Sequence, residues 1–255
     1  MGLERFSLEG RLALVTGSSQ GIGLALARGL GEAGAALVVN GRDTEKLAGA
    51  AETLRADGLT VHERAFDVTD GAAVIEAVDG IERDIGPIEI LVNNAGMQFR
   101  TPLEEFPEEA WHRLVKTNID SVFLVGKAVA QHMIARRGGK IINICSVQSE
   151  LGRYSIAPYT MTKGAVKMLT KGMCVDWGRY NIQVNGIGPG YFNTPLNKAL
   201  VEDPKFTEWV KGRTPAGRWG ETDELVGAAV FLASPASSFV NGHVLYVDGG
   251  ITAGL

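Results

Sequence analysis

The chain has 255 residues, of which 45% are hydrophobic and 21% are charged, a composition typical of a globular protein large enough to bury a core. Its net charge of −4, without a basic stripe, argues against nucleic-acid binding. No run of 18 apolar residues is present, so no membrane-spanning helix is predicted.

The chain has two cysteines, Cys145 and Cys174, and no Cys/His spacing that would bind zinc. We therefore expect no metal site. Two unpaired cysteines are typical of a reducing compartment, and the first residues lack an apolar signal segment, so a cytoplasmic protein is expected. Arg136, Arg137 and Lys140 form the only local basic cluster, which we interpret as a solvated helix end.

Short apolar runs alternate with longer amphipathic segments along the chain. The runs are rich in β-branched residues and nearly continuous in apolar character, which predicts parallel strands buried on both faces, at 12–15, 36–39, 61–66, 88–92, 141–144, 182–187 and 244–247. The segments between them predict helices at 21–33, 43–56, 69–85, 107–135, 158–178 and 221–233. This alternation predicts the α/β class: a doubly wound parallel sheet (a Rossmann fold) of about seven strands with helices on both faces.

No linker, repeat or low-complexity tract interrupts this pattern, so residues 1–255 are predicted to form a single dinucleotide-binding oxidoreductase domain. The segment at about 190–215 differs because four prolines lie between positions 189 and 215 and a short helical pattern occurs around 201–210. An insertion of this kind after a strand is the expected place for a lid over the substrate.

A glycine-rich turn, Thr16-Gly-Ser-Ser-Gln-Gly-Ile-Gly23, follows the first strand and leads directly into a helix. Glycines allow the backbone to approach a pyrophosphate, and the helix N-terminus supplies free N–H groups. The spacing is G-x3-G-x-G, not the commoner G-x-G-x-x-G, although the strand–turn–helix context is the expected one. The turn predicts dinucleotide binding by Gly17, Ser19, Gln20, Gly21, Ile22 and Gly23.

The second strand ends at Val39 and is followed by Asn-Gly-Arg42-Asp43. No carboxylate stands at the strand end to hold a ribose hydroxyl, whereas Arg42 is suited to a 2′-phosphate. We therefore predict NADP(H) as the cofactor, with NAD left as the alternative. A surface arginine is the competing interpretation of Arg42, and Asp43 is suited either to capping the next helix or to facing the pocket.

Three further clusters make the chain similar to a known family. Asn93-Asn94-Ala95-Gly96 follows the fourth strand, Tyr159-Thr-Met-Thr-Lys163 opens a helix, and Pro189-Gly190 follows the sixth strand. With the glycine turn, these clusters resemble the short-chain dehydrogenase/reductase family over essentially the full chain. The resemblance implies that Ser146, Tyr159, Lys163 and Asn118 are catalytic, with Lys163 also binding the nicotinamide ribose and Asn118 positioning a water. It further implies cofactor contacts by Asp67, Val68, Asn94, Ala95, Gly96, Pro189, Gly190 and Thr194.

The chemistry of the Tyr-x-x-x-Lys pair follows from the residues themselves. Tyr159 and Lys163 are four positions apart, so they lie on one helix face. A free tyrosine is a poor base, but an adjacent ammonium favours the phenolate, and Ser146 after the fifth strand can hold the substrate oxygen beside it. The competing interpretations are an amphipathic helix face for this pair, a turn role for Ser146, a helix cap or kink for Asn118, and a helix cap for Asp67.

The loops after the strands predict a polar substrate pocket that includes Arg100, Gln148, Arg153 and Tyr191 together with Ser146 and Tyr159. The two arginines are suited to a carboxylate, and the stretch from Cys145 to Arg153 resembles the sugar-acid branch of the family, so a small polar hydroxy or keto acid is expected. Surface ion pairs are the alternative role for Arg100 and Arg153. The rival functions are a 3-ketoacyl-carrier-protein reductase, another keto-sugar or keto-acid reductase, and a non-catalytic dinucleotide-binding regulator. The resemblance also implies a homotetramer packed through long helices.

Overall fold

The computed structural model describes residues 2–254 and contains a single parallel sheet of seven strands. The strands are β1 (Leu12–Val15), β2 (Ala36–Gly41), β3 (Val61–Ala65), β4 (Ile88–Asn93), β5 (Gly139–Ile144), β6 (Ile182–Pro189) and β7 (Val244–Val247). Their order is β3-β2-β1-β4-β5-β6-β7, and every neighbouring pair is parallel. The predicted fold class and all seven predicted strands are therefore confirmed, with ends that differ by two residues at most.

Helices cover both faces of the sheet. They are α1 (Gly21–Glu32), α2 (Thr44–Ala56), α3 (Gly71–Asp84), α4 (Glu108–Val115), α5 (Ser121–Arg136), α6 (Ala157–Trp177), α7 (Lys198–Val201), α8 (Pro204–Arg213) and α9 (Val226–Ala233). One apolar layer packs α1, α2 and α9 on the sheet, and the other packs α3, α5 and α6 on the opposite face. The strands are buried on both sides by these two layers, which explains their continuous apolar sequences.

Two predicted helices differ in detail. The long helix predicted at 107–135 is divided into α4 and α5 by a π-helical turn at Lys116–Asp120. The helix predicted at 221–233 begins with a 3₁₀ turn at Thr222–Leu225, ahead of α9. A π turn leaves the apolar periodicity of a long segment nearly unchanged, so the sequence pattern does not reveal it.

β1 lies inside the sheet between β2 and β4, and the direction in which successive strands are added changes between β1 and β4. The chain leaves β1 towards β2 and β3 on one side, then crosses back to β4 on the other. The loops after β1 and β4 therefore diverge and leave a crevice at the carboxyl edge of the sheet, which is where ligands of open α/β folds bind. No helix among residues 2–254 is long and apolar enough to cross a membrane.

Of the basic cluster, Arg137 is a solvated helix end, as the exposed residue that follows α5, but the other two members are not. Arg136 is half-buried and pairs with Glu82, with Nη1 2.9 Å from Oε2. Lys140 is only 5% exposed at the start of β5, and its Nζ donates a hydrogen bond to Ser237 Oγ at 3.1 Å. The prediction was wrong for Arg136, which the ion pair with Glu82 holds against the protein, and for Lys140, which lies within β5 in the sheet.

The burial of Lys140 has a consequence for stability. Burial, followed by the nearby charge of Arg11, lowers the pKa of Lys140 from 10.5 to about 8. The folded state thus binds this proton less tightly than the unfolded chain does. The charged ammonium therefore destabilises the fold fully below pH 8, and this loss of folding free energy decreases as the pH rises from 8 towards 10.5. We expect Lys140→Met to raise the free energy of unfolding at pH 7 by about 1–3 kcal/mol.

Urea unfolding at pH 7 and at about pH 9.5 measures this effect. The gain of the Lys140→Met variant over the parent protein is expected to fall by about half at the higher pH. The exposed Lys171, replaced in the same way, serves as the control. A gain of equal size at both pH values would contradict a role for the buried charge.

Candidate active site

A cavity of about 550 Å³ lies at the carboxyl edge of the sheet, in the crevice beside β1. It is lined by loops that follow β1, β2, β3, β4, β5 and β6, because parallel strands all end at the same edge. The structure brings every sequence-predicted site residue except Asn118 to the wall of this cavity. These residues are Gly17, Ser19, Gln20, Gly21, Ile22, Gly23, Arg42, Asp67, Val68, Asn94, Ala95, Gly96, Arg100, Ser146, Gln148, Arg153, Tyr159, Lys163, Pro189, Gly190, Tyr191 and Thr194.

The glycine turn has room for backbone only. A Cβ on Gly17, whose φ is +62°, would lie 2.9 Å from the Cα of Ala95, and one on Gly23 would lie 2.4 Å from Asn94 Nδ2. The following helix α1 begins at Gly21 with no side-chain cap on its first N–H groups. A turn without side chains beside uncapped N–H groups fits a pyrophosphate, so the residues present suit a dinucleotide.

Side chains from neighbouring strands hold this turn in place. Thr16 Oγ1 accepts hydrogen bonds from the N–H groups of Asn94 and Ala95 at 3.0 and 3.1 Å. Asn94 Nδ2 donates to the carbonyl oxygens of Thr16 and Gly17 at 2.9 and 3.0 Å. The Asn94 side chain thus ties the loop after β4 to the glycine turn.

Asn40, which the sequence reasoning missed, adds a second attachment. Its buried side chain accepts from the N–H of Gly17 at 3.3 Å and donates to the carbonyl oxygens of Arg64 and Phe66, both at 3.1 Å. The signal in the sequence is a polar residue at the end of an apolar strand, a position that in a parallel sheet faces the ligand crevice.

Arg42 marks one end of the cavity. Its side chain is 74% exposed, and Nη1 lies 3.7 Å from Asp67 Oδ2. Asp43 caps α2, because its carboxylate accepts from the N–H of Lys46 at 3.1 Å. Lys46 also lines the cavity and was missed, although it lies one helical turn after Asp43. Two cations and two carboxylates therefore meet at this end.

Asp67 does not cap α3, contrary to one of the two roles considered for it. The helix begins at Gly71 and is capped by Asp70, whose carboxylate accepts from the N–H groups of Ala72 and Ala73. Asp67 instead accepts from the N–H and hydroxyl of Thr69, both at 2.8 Å. Burial opposes its ionisation, but these hydrogen bonds and the charge of Arg42 lower the pKa of Asp67 overall.

Ser146, Tyr159 and Lys163 converge where β5 meets α6. Ser146 lies two residues after the end of β5, and its Oγ accepts from the N–H of Gln148 at 3.1 Å. Lys163 is 6% exposed, and its Nζ lies 5.7 Å from the Tyr159 ring centroid and donates to the carbonyl oxygen of Ile144 at 2.7 Å. The three side chains share one wall of the cavity, as their chain positions predicted.

Asn118 lies behind this wall, buried in the π turn between α4 and α5. Its Oδ1 accepts from the N–H of Met97 at 2.8 Å, and its Nδ2 donates to Met97 O at 3.0 Å and Thr162 Oγ1 at 3.1 Å. The side chain therefore links the loop after β4 to α6. Its expected catalytic role stays a prediction, and its side chain does not cap a helix.

Arg100 and Arg153 stand at the end of the cavity nearest Tyr159, and neither lies within ion-pair distance of a described carboxylate. The surface ion pairs considered for them are thus not formed. Arg100 Nη2 donates to Gln98 Oε1 at 3.2 Å and to Asn197 Oδ1 at 3.0 Å. Arg153 places its guanidinium carbon 5.0 Å from the ring centroid of Phe206. Burial, and then the charge of Arg153, lowers the pKa of Arg100.

Several polar atoms at this end are buried without a partner in the described chain. They are Nε of Arg100, Nε of Arg153 and Oε1 of Gln148. Gln148 is 6% exposed, and its Nε2 donates to the Tyr191 hydroxyl at 3.4 Å. Unsatisfied donors on two cations beside an unsatisfied acceptor suit a ligand that carries both carboxylate and hydroxyl groups.

An aromatic cluster that the sequence reasoning missed closes the same end. The Tyr191 ring centroid lies 5.7 Å from that of Phe206, 5.5 Å from that of Trp209 and 5.8 Å from that of Trp219. Phe206 and Trp209 belong to α8, and burial raises the pKa of Tyr191. The signal was the aromatic content of the predicted lid segment, which periodicity alone does not connect to Tyr191. No cluster of three or more metal-ligating side chains occurs among residues 2–254.

A family model described as "Enoyl-(Acyl carrier protein) reductase" matches residues 17–252. Gluconate 5-dehydrogenase of Gluconobacter oxydans (strain 621H) is 62% identical over 250 residues, which cover 98% of this chain and 98% of that protein. 5-Keto-D-gluconate 5-reductase of Escherichia coli (strain K12) is 56% identical over 246 residues, covering 96% and 97%. The crystal structure of a gluconate 5-dehydrogenase from Burkholderia cenocepacia J2315 in complex with NADP and tartrate is 60% identical, with a TM-score of 0.98 and full coverage of both chains.

Proposed function

This chain belongs to the short-chain dehydrogenase/reductase family, and on that premise we propose that it is an NADP(H)-dependent oxidoreductase that interconverts gluconate and 5-dehydrogluconate. The observation that carries the substrate is the pair Arg100 and Arg153, two guanidinium groups that face the cavity beside Tyr159 without a carboxylate partner. A sugar acid supplies both the anion and the hydroxyl groups that this end of the cavity lacks.

The cofactor proposal rests on the opposite end of the cavity. Gly17, Gly23 and the uncapped start of α1 would hold the pyrophosphate, and Arg42 with Lys46 would hold the 2′-phosphate of NADP(H). The related Burkholderia cenocepacia enzyme was crystallised with NADP. Tyr159, Lys163, Asn94 and Thr194 line the cavity between the two ends, on the side that would receive the nicotinamide.

When bound, the nicotinamide supplies the hydride acceptor for alcohol oxidation and the hydride donor for ketone reduction. Ser146 donates a hydrogen bond to the substrate oxygen and holds it beside Tyr159. Tyr159 takes the hydroxyl proton during oxidation and returns it during reduction, and the charge of Lys163 stabilises the phenolate oxygen. Lys163 donates one N–H to the carbonyl oxygen of Ile144, so two of its three N–H donors remain for the ribose and the substrate.

The test is an assay of purified protein with gluconate and either NADP+ or NAD+ at mildly alkaline pH, followed by the absorbance of the reduced cofactor. We expect turnover with NADP+ and little with NAD+. Turnover with NAD+ alone would contradict the role of Arg42 but keep the reaction. If the protein binds NADP+ and turns over 3-ketoacyl thioesters but no sugar acid, the 3-ketoacyl-carrier-protein reductase would be favoured instead. That function is the weaker candidate because two cations lie in the substrate end of the cavity.

The Arg42→Ser variant tests the cofactor proposal directly. Loss of one charge-assisted contact to the 2′-phosphate is expected to raise the KM for NADP+ about 10- to 100-fold and to leave the KM for NAD+ within about threefold. Steady-state kinetics with each cofactor measures both values. The matched control is Arg28→Ser on α1, whose side chain pairs with Asp57 and does not line the cavity. An equal loss with both cofactors would contradict a 2′-phosphate contact.

The remaining parts of the proposal concern the whole molecule. We propose that residues 1–255 act as one unit with 190–215 as the lid, because α8 packs its aromatic rings on Tyr191 beside the cavity. A homotetramer is supported by exposed apolar side chains on α5 and α6, among them Phe123 at 47% and Val175 at 79% exposure. The free thiols of Cys145 and Cys174 support a cytoplasmic location.

A further inference from the structure

Charge is distributed unevenly along the cavity. Of the cavity-lining residues, only Asp43 and Asp67 carry carboxylates, and both lie at the end with Arg42 and Lys46. The opposite end holds Arg100 and Arg153 with no lining carboxylate, and Lys163 lies between the two ends. One end is thus neutral in sum, and the other carries two positive charges beside the reacting groups.

Arg100 and Arg153 occupy separate settings within that end. Arg100 comes from the loop after β4 and donates to Asn197 on the lid segment. Arg153 comes from the loop before α6 and lies over Phe206 of α8. Each guanidinium has a buried Nε without a partner and no described carboxylate within ion-pair distance, so the charge of each is left for a ligand anion. A ligand with a single carboxylate neutralises one of these cations and leaves the other uncompensated.

We propose that the substrate end is a two-anion site that binds dicarboxylic sugar acids, with one carboxylate at Arg100 and the other at Arg153, more tightly than the corresponding monocarboxylic acids. The inference rests on the proposed function for the location of the substrate, and not for its turnover. The unpartnered Oε1 of Gln148 would accept a hydrogen bond from a hydroxyl group on the carbon chain between the two carboxylates. Each ligand group thereby meets a protein group that is otherwise unsatisfied.

D-Glucarate and D-gluconate are a matched pair of probes, because they differ only in a carboxylate or a hydroxymethyl group at C6. Binding is measured by calorimetry on protein saturated with NADPH, since neither acid can be oxidised by the reduced cofactor. We expect the Kd for glucarate to be about tenfold lower than that for gluconate. A Kd for glucarate equal to or above that for gluconate would overturn the proposal, because both guanidinium groups would then serve one carboxylate.

The variants Arg100→Gln and Arg153→Gln show which arginine binds the second carboxylate. At least one of them is expected to bring the ratio of the two Kd values to about one, while NADPH binding is retained. Arg83→Gln, at an exposed ion pair at the end of α3, is the control and is expected to keep the ratio. An unchanged ratio in both arginine variants would also overturn the proposal. Gluconate oxidation with NADP+ is assayed separately, so failure of the proposed reaction is seen independently of these binding data.

Discussion

The Tyr159→Phe variant is expected to lose about 10²- to 10⁴-fold in kcat for gluconate oxidation, the usual contribution of a positioned general base. Tyr159 lines the cavity with Lys163 Nζ 5.7 Å from its ring centroid. The substitution removes one oxygen atom and keeps the ring, so packing around α6 is preserved. Steady-state kinetics gives kcat, and fluorescence titration with NADPH shows whether cofactor binding is retained.

Tyr154→Phe is the matched control, because Tyr154 lies five positions earlier and its side chain is 76% exposed. It is expected to keep kcat within about twofold. If the Tyr159→Phe enzyme were as active as the parent, the proposed proton transfer would be wrong. A non-catalytic dinucleotide-binding regulator would then be the function to test. Loss of activity together with loss of NADPH binding would point to damage of the cofactor site instead.

The double variant Arg100→Gln/Arg153→Gln is expected to raise the KM for gluconate by about 10- to 100-fold, because it removes the guanidinium that holds the single carboxylate, a charge-assisted contact worth about 1.5–3 kcal/mol. Glutamine keeps hydrogen-bonding groups and removes both charges. The specificity for gluconate over D-glucitol, which has a hydroxymethyl group in place of the carboxylate, is expected to fall by the same factor. Initial rates over a range of each substrate measure the two kcat/KM values.

The control for this variant is Arg83→Gln/Arg113→Gln, two exposed arginines on α3 and α4 that do not line the cavity. A proportional loss with gluconate and D-glucitol would mean that the arginines shape the lid and do not recognise the anion. The double variant is also expected to unfold at a temperature equal to or above that of the parent, since it removes two mutually repelling cations, of which Arg100 is also disfavoured by burial. A higher unfolding temperature would fit the general cost of keeping binding residues without an ionic partner in the free protein.

Much of the fold and part of the site could be predicted because the relevant signals are local. Apolar runs of four to eight residues separated by amphipathic segments determine strand and helix, and their alternation determines a parallel sheet. The turn from Thr16 to Gly23 and the spacing of Tyr159 and Lys163 are likewise set within one turn or one helix. Parallel strands bring all their carboxyl ends to one edge, so the predicted residues met in one cavity.

Contacts between distant segments could not be predicted in this way. Arg136 meets Glu82, Lys140 meets Ser237, and Asn118 bridges Met97 and Thr162, across separations of 54, 97, 21 and 44 residues. Each is decided by which helix faces cover which strands. A cap on α3 was considered for Asp67, but the backbone path after β3 starts the helix at Gly71 and gives the cap to Asp70.

The sequence by itself therefore determined the fold class, the glycine-rich turn and the placement of Tyr159 and Lys163 on one helix face, because each depends on spacing along a strand, a turn or a helix. Only the tertiary structure decided that Arg100 and Arg153 lie beside Tyr159 without a carboxylate partner. Whether a charged side chain meets an opposite charge depends on neighbours that are remote in the chain. Arg100 lies 97 residues from Asn197, its partner on the lid. The charge of the substrate end is a property of that packing, and no local pattern encodes it.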